Sequence, residues 1–238
     1  GMNLVRVRLW HTPANANTGL AQVEAFAQKL KNAGISWWLD FHYSDTWADP
    51  GSQPMPLAWK NLSYTVLSDS IYSYTYKVMS GLKAKNILPV MVQIGNENNS
   101  GMLWDIGKVG GAFNNNWPQY AGLVKKGIDA VKAIDPAVKI MLHCAGTKDA
   151  QWFFTNIQTQ GILYDIMGLS YYHWWHERNL SELQNDLNAL ANTFNKDILI
   201  AETAYPFTLG WNDNTKNIYG TGYPLLQRYT ATPEVQQK

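Results

Sequence analysis

Six short apolar runs, each followed by a stretch of helical periodicity, constrain this chain more than any other feature of its sequence. Residues 3–10 (NLVRVRLW) alternate with period two and put Arg6, Arg8 and Trp10 on one face of a strand. Further strands are expected at 36–43, 88–95, 138–143, 164–172 and 197–203. Between them, residues 18–33 carry an apolar stripe of Leu20, Val23, Phe26, Ala27 and Leu30, with Gly34 placed to end the helix. Helices are also expected over 64–85, 118–134 (stopped by Asp135-Pro136) and 148–159. The next opens at a capping box formed by Ser181 and Gln184, with Leu183, Leu187, Leu190, Ala191 and Phe194 as its core face. Thr232-Pro233-Glu234 reads as one more helix start.

Strands that are apolar on both faces and alternate with helices belong to a parallel sheet covered by helices. A doubly wound sheet and a (β/α)8 barrel both satisfy that pattern. The positions of the polar residues separate them. Strand after strand ends in such residues: Arg8 and Trp10, His42 and Asp45, Asn96 and Glu97, His143, Tyr171 and Tyr172, Glu202. Polar groups at the C-terminal ends of many strands are the signature of an α/β barrel, whereas an open sheet gathers them at one switch point. No glycine-rich phosphate loop follows any strand, which argues against a nucleotide-binding sheet. With no repeat and no domain-scale linker, residues 1–238 are expected to form a single domain.

The charge balance narrows the partners. Nineteen Lys and Arg face eighteen Asp and Glu, a formal net charge of +1, so there is no electrostatic case for nucleic acid or an anionic membrane. No apolar stretch reaches the length of a membrane span. Aromatic residues reach 13%, with 11 Trp and 13 Tyr, a composition suited both to a core and to stacking on sugar rings. Cys144 is alone, so no disulfide can form within the chain, and its apolar surroundings suit an inert buried thiol. No signal peptide opens the chain; Gly1-Met2-Asn3-Leu4 runs straight into a strand, and the expectation is that an upstream segment has been removed.

Two carboxylates stand out. Gly95-Asn96-Glu97 follows the apolar run ending at Ile94, and Ala201-Glu202-Thr203 follows Ile198–Ile200. Burial raises a carboxyl pKa and a neighbouring cation lowers it, so a pair in unlike settings supplies one acid and one ionised nucleophile. Retaining glycoside hydrolysis needs that pair about 5 Å apart. The bland alternative is that each is a helix cap or a surface group.

The stretch DFHYSDTWADPG at 40–51, followed by Pro56 and the Ala58-Trp59 pair, resembles the arabinogalactan endo-β-1,4-galactanases of glycoside hydrolase family 53. So do VRVRLW at 5–10, MVQIGNE at 91–97, SGMLW at 100–104, IMLH at 140–143, the Ser170-Tyr171-Tyr172 run with Trp175-His176, and ETAYPFT at 202–208. The matches run in order along nearly the whole chain.

The resemblance implies roles. Glu97 is similar to the acid/base and Asn96 to the neighbour that holds the sugar 2-hydroxyl; Glu202 is similar to the nucleophile. Arg8 resembles the arginine that keeps the nucleophile ionised, with a buried ion-pair partner as the alternative and Arg6 close behind it. His42, Asp45 and Trp47 resemble substrate-side groups. His143 and Tyr172 match inward positions, His143 with a core histidine as its alternative, and Trp175 resembles a sugar platform. Trp59 and Trp104 are left as packing. The implied activity is retaining endo-hydrolysis of β-1,4-galactan in plant pectin, by a monomer without a catalytic cofactor that is secreted, periplasmic or at the cell surface of a bacterium. A related hydrolase of mannan or xylan, or a non-catalytic carbohydrate-binding barrel, is the alternative.

Asn98 and His173-Trp174 depart from the family pattern beside the expected cleft. A structural calcium ion is a weaker implication, resting on Asp213 in the loop that begins at Gly210. Counted against the family, the strand at 3–10 matches the second barrel strand and that at 197–203 the seventh. The chain is therefore expected to be an incomplete barrel lacking the first and eighth strands, with two unpaired edges and poor stability when alone.

Overall fold

The computed structural model describes residues 1–176, 179–210, 225–226 and 228–237. Its six strands are β1 (Leu4–Leu9), β2 (Ser36–Phe41), β3 (Met91–Ile94), β4 (Lys139–Ala145), β5 (Ile166–Tyr171) and β6 (Asp197–Thr203). They lie in sequence order in one sheet, and every neighbouring pair is parallel. The helices are α1 (Leu20–Asn32), α2 (Tyr64–Ala84), α3 (Trp117–Ile134), α4 (Ala150–Thr159), α5 (Leu180–Phe194) and a short α6 (Pro233–Gln236). The architecture is a partial (β/α) barrel. Among the described residues, the outer edges of β1 and β6 have no strand partner.

Two apolar layers hold it. Between strands and helices lies a continuous core that includes Leu39, Phe41, Val92, Ile94, Ile140, Leu142, Met167 and Leu169, packed against Val23, Leu67, Ile71, Leu123 and Phe153 from the helices. On the concave side Trp38, Met91, Met141 and Ile166 form a second layer, joined by Leu4, Leu199 and Ala201. These are the inward side chains that fill a barrel below its active end.

Most element ends agree with the sequence reading to within a few residues. Gly34 has φ of +68° just beyond α1, the left-handed closing position that glycine enters at no steric cost. The third strand is shorter than expected, four residues instead of eight, because β2 pairs only from Met91 onward. The capping box is displaced by two residues. Asn179, not Ser181, caps α5 by accepting from Ser181 N–H at 2.9 Å, and Glu182 stands at the position expected of Gln184. In α5 only Leu190 is fully buried; Leu187 and Phe194 pack at the core margin. Ile200 of β6 is 38% exposed, so cover thins toward this edge.

One irregularity places chemistry. Leu169 pairs with Ile200, but Ser170 pairs with Glu202, so β6 gains one residue relative to β5. Strict alternation would put Glu202 on the face opposite Ala201. The bulge brings both to the concave side, where Ala201 packs in the inner layer and Glu202 meets Arg6.

Candidate active site

Arg6 sits at the centre. Its Nη1 donates to Glu202 Oε1 at 2.6 Å. Nη2 donates to Asp40 Oδ2 at 2.9 Å and to Asn96 Oδ1 at 2.6 Å, and Nε donates to Gln93 Oε1 at 3.2 Å. A guanidinium fork with fixed donors is suited to joining four strands in this way. This corrects the expectation for Arg8. Arg8 lies two residues further along the same face of β1, over the ring of Trp47 at 3.9 Å, with Trp10 at 5.2 Å. It makes a cation–π stack, and Arg6 makes the ion pair.

Arg6 decides the state of Glu202. Burial by itself would raise that carboxyl, but the arginine's charge and hydrogen bond, with a bond from Tyr172 Oη to Oε2 at 3.0 Å, outweigh it and hold Glu202 below its ordinary value. Asp40, fully buried, is also held below the usual carboxylate range, its burial outweighed by Arg6 and by His42 Nε2 at 3.0 Å.

Glu97 has the opposite setting. It sits just past β3 in the left-handed region, with φ of 46°. The turn into it depends on Gly95, whose φ is +76° and where a Cβ would fall 2.5 Å from the side chain of Asn98. Arg6 donates to Glu202, Asp40 and Asn96, and Glu97 receives no direct bond from it. Burial pushes the Glu97 carboxyl up to about 7, and the nearby Glu202 charge adds to the rise; a bond from Ser170 Oγ to Oε1 at 2.5 Å offsets only part of it.

His143 lies beneath both, fully buried, and burial pushes its imidazole down to about 3. Glu97 N–H at 3.2 Å and Gln93 Nε2 at 3.1 Å both point at Nδ1, which makes Nδ1 an acceptor and leaves the ring proton on Nε2, 3.0 Å from Ser170 Oγ. Asn96 Oδ1 is 3.0 Å from the same Nδ1, a contact this tautomer leaves without a proton; that oxygen takes Arg6 instead. One oxygen of Glu97, one of Glu202 and a ring nitrogen of His143 lie within 4.8 Å of one another. A cation at this point would compete with the Arg6 guanidinium already bound to Glu202, and both imidazole nitrogens of His143 are taken.

The other expected residues divide. Tyr172 is in the site. Trp47 and Trp175 are 58% and 56% exposed, Trp175 edge-on to Tyr172 at 5.4 Å. With Arg6, Arg8, Asn17, Tyr172 and Glu202, Trp47 lines a cleft of about 560 Å³. Asn96 is buried, and its amide is spent on Arg6 and on the carbonyl of Ala48 at 2.8 Å. His42 is not at the cleft surface: it is 2% exposed, held between Asp40 and Trp10 Nε1. Asp45 is likewise corrected. Its two oxygens accept the backbone N–H groups of Thr12 and Leu57, each at 2.8 Å, so it ties together the loops around the cleft. Trp59 is core, and Trp104 Nε1 bonds the Ser100 carbonyl at 2.8 Å. Asp213, the calcium candidate, lies outside the described residues.

Asp40, Gln93 and Ser170 were not anticipated. Asp40 and Gln93 carried a signal, since each is a polar residue at an inward position of an otherwise apolar strand. Ser170 carried the same signal, standing in register with inward Ile166 on the otherwise apolar β5.

Two carboxylates at the C-terminal ends of parallel strands, one near neutrality and one kept ionised by arginine, make the arrangement of a barrel glycosidase. The comparisons with known proteins sharpen this. The profile of glycosyl hydrolase family 53 matches residues 1–238. The chain is 41% identical to an uncharacterized protein in the bgaB 5′ region of Niallia circulans, over 99% of this chain and 66% of that one. It is 38% identical to the arabinogalactan endo-β-1,4-galactanase of Cellvibrio japonicus, over 99% of this chain and 64% of that one. The Ignisphaera aggregans GH53 catalytic domain superposes with a TM-score of 0.87 at 39% identity, over 93% of this chain and 62% of that one. The chain belongs to glycosyl hydrolase family 53. It spans just under two thirds of the length of these relatives.

Proposed function

We propose that this chain carries the catalytic pair of an endo-β-1,4-galactanase that works by retaining double displacement on (arabino)galactan. The observation that carries the reading is the pair itself: Glu97 and Glu202 oxygens within 4.8 Å, in opposite electrostatic settings. That spacing suits direct attack on the anomeric carbon and leaves no room for the water an inverting enzyme places between its carboxyls. Glu202, ionised beside Arg6, attacks and forms the glycosyl-enzyme. Glu97, protonated near neutral pH, gives its proton to the leaving glycosidic oxygen. Now a carboxylate, Glu97 takes a proton from water as that water displaces Glu202. Tyr172 and Arg6 hold the nucleophile in line, and Trp47 and Trp175 offer exposed rings on which sugars stack.

The choice of galactan rests on the name of the Cellvibrio japonicus relative. Reducing-sugar release from potato galactan, set against mannan and xylan, tests the substrate. Proton NMR of the first-formed product tests the stereochemistry, with retention of the β-anomer expected. Release only from mannan or xylan, or from no polysaccharide, would replace this reading by the related hydrolase or by the binding barrel.

A further inference from the structure

Glu97 is tied at two points to a single buried chain of side chains. Its backbone N–H donates to His143 Nδ1 at 3.2 Å. His143 Nε2 lies 3.0 Å from Ser170 Oγ, and Ser170 Oγ lies 2.5 Å from Glu97 Oε1. The chain closes on the residue where it began. Its direction is set by chemistry. An imidazole that accepts at Nδ1 must donate at Nε2, so Ser170 Oγ receives the histidine proton and has its own hydrogen free for Glu97. Oε1 is then an acceptor in every protonation state of Glu97.

We infer that Ser170, oriented by His143, is a positioning residue that confines the proton of Glu97 to Oε2 and stabilises the carboxylate left after that proton is delivered. The inference rests on the acid/base reading of Glu97 above and deepens it. Three features make the arrangement a built one. Ser170 is 1% exposed and His143 fully buried, so water does not compete for either. Ser170 comes to Glu97 from β5, next to the bulge that also turns Glu202 inward. Glu97 itself is held in a left-handed backbone conformation, a state uncommon for residues with a side chain, and its N–H is the anchor of the ring.

Several charged or titratable groups face Glu97. Glu202 approaches from β6, Arg6 from β1, His143 from β4, Tyr172 from beyond β5 and Asp49 from the loop after β2. Only Ser170 donates a hydrogen bond to its carboxyl among the described residues. Ser170→Ala therefore removes a donor to the ionised form without removing any charge. The Glu97 pKa should rise by about one unit, the usual worth of a hydrogen bond to a charged group.

The test uses the folded protein and two readouts. Carbon-13 NMR titration of glutamate-labelled protein follows the Glu97 carboxyl without any substrate, Glu97→Gln supplying the assignment. In Ser170→Ala its midpoint should move up by about one unit, and in Ser170→Thr, which keeps the hydroxyl, it should stay within about 0.3 unit of the parent. On galactan, the alkaline limb of kcat/KM should move up with it while kcat falls on the order of tenfold. An unmoved midpoint in Ser170→Ala overturns the inference. So does a loss of activity that is equal at all pH values, which is what mere loosening of the fold would produce. If the parent protein cleaves no galactan, the functional reading fails while the NMR titration still decides the role of Ser170.

Discussion

Glu97 and Glu202 occupy equivalent places, each at the C-terminal end of a parallel strand of one sheet, and differ in what lies within 3 Å. Glu202 receives a guanidinium and a phenol; Glu97 receives one serine hydroxyl. Arg6 is bonded to the β6 carboxylate, to Asp40 and to Asn96, and stops short of Glu97. Burial pushes one carboxyl up to about 7, and the direct Arg6 bond, with Tyr172, outweighs the same burial and holds the other below the ordinary range. Two like residues at the same level of a barrel are thus set in opposite electrostatic states, as the proposed acid and nucleophile require.

Removing either carboxylate tests the comparison most severely. Glu202→Gln should lower turnover on every substrate by roughly 10⁴-fold or more, because no glycosyl-enzyme can form. Glu97→Ala should lose on the order of 10² to 10⁴ on galactan but far less on an aryl galactoside whose leaving group needs no proton, and azide should restore turnover. Equal losses on the two substrates would deny Glu97 the role of acid.

Exchanging the arginines is the next test. Arg6→Met should shift the acid limb of kcat/KM toward neutral pH, since Glu202 would lose the charge that keeps it ionised, and should lower stability in urea unfolding by leaving the buried Asp40 with His42 but without its guanidinium partner. Arg8→Met should leave the acid limb in place and weaken substrate binding at the Trp47 side. If the Arg8 variant moves the limb instead, the assignment of the two arginines is reversed.

The pH dependence follows from the same contrast. The proposed mechanism needs Glu97 protonated and Glu202 ionised. It should fall as pH rises through about 7 and, at the other end, only below the ordinary carboxylate range. Stability has its own sign. The Glu97 carboxyl is raised in the folded state, so its contribution is complete below about 4.5 and is lost as pH rises through about 7. Glu97→Gln should accordingly unfold about 1 to 3 kcal/mol less readily than the parent above pH 7, with the advantage vanishing below pH 4.5. A variant no more stable at pH 8 would mean that Glu97 is better solvated than its burial indicates.

Much of this was legible beforehand. The order of strands and helices follows from periodicity, and GNE and AET at the ends of apolar runs mark the carboxylates. The arginine was the first thing to escape. Arg6 and Arg8 share a face of β1 and stand about 7 Å apart along it. Which of them meets a residue of β6 depends on strand tilt and stagger around the barrel, quantities that no single strand encodes. The place of Asp45 is hidden for a related reason: nothing local reveals that both its oxygens are taken by amides of Thr12 and Leu57.

Local chemistry therefore determined the alternation of strands and helices, the apolar layers and the level at which polar side chains emerge, because each depends on neighbours one to four residues away. Tertiary structure alone decided which carboxylate is charged. Arg6 and Glu202 are 196 residues apart in sequence and 2.6 Å apart in space, and the bulge in β6 turns Glu202 to the side where they can meet. Electrostatic energy falls off with distance through space, whatever the separation along the chain, so a proton's place on Glu97 or Glu202 is set only when the strands have closed around them.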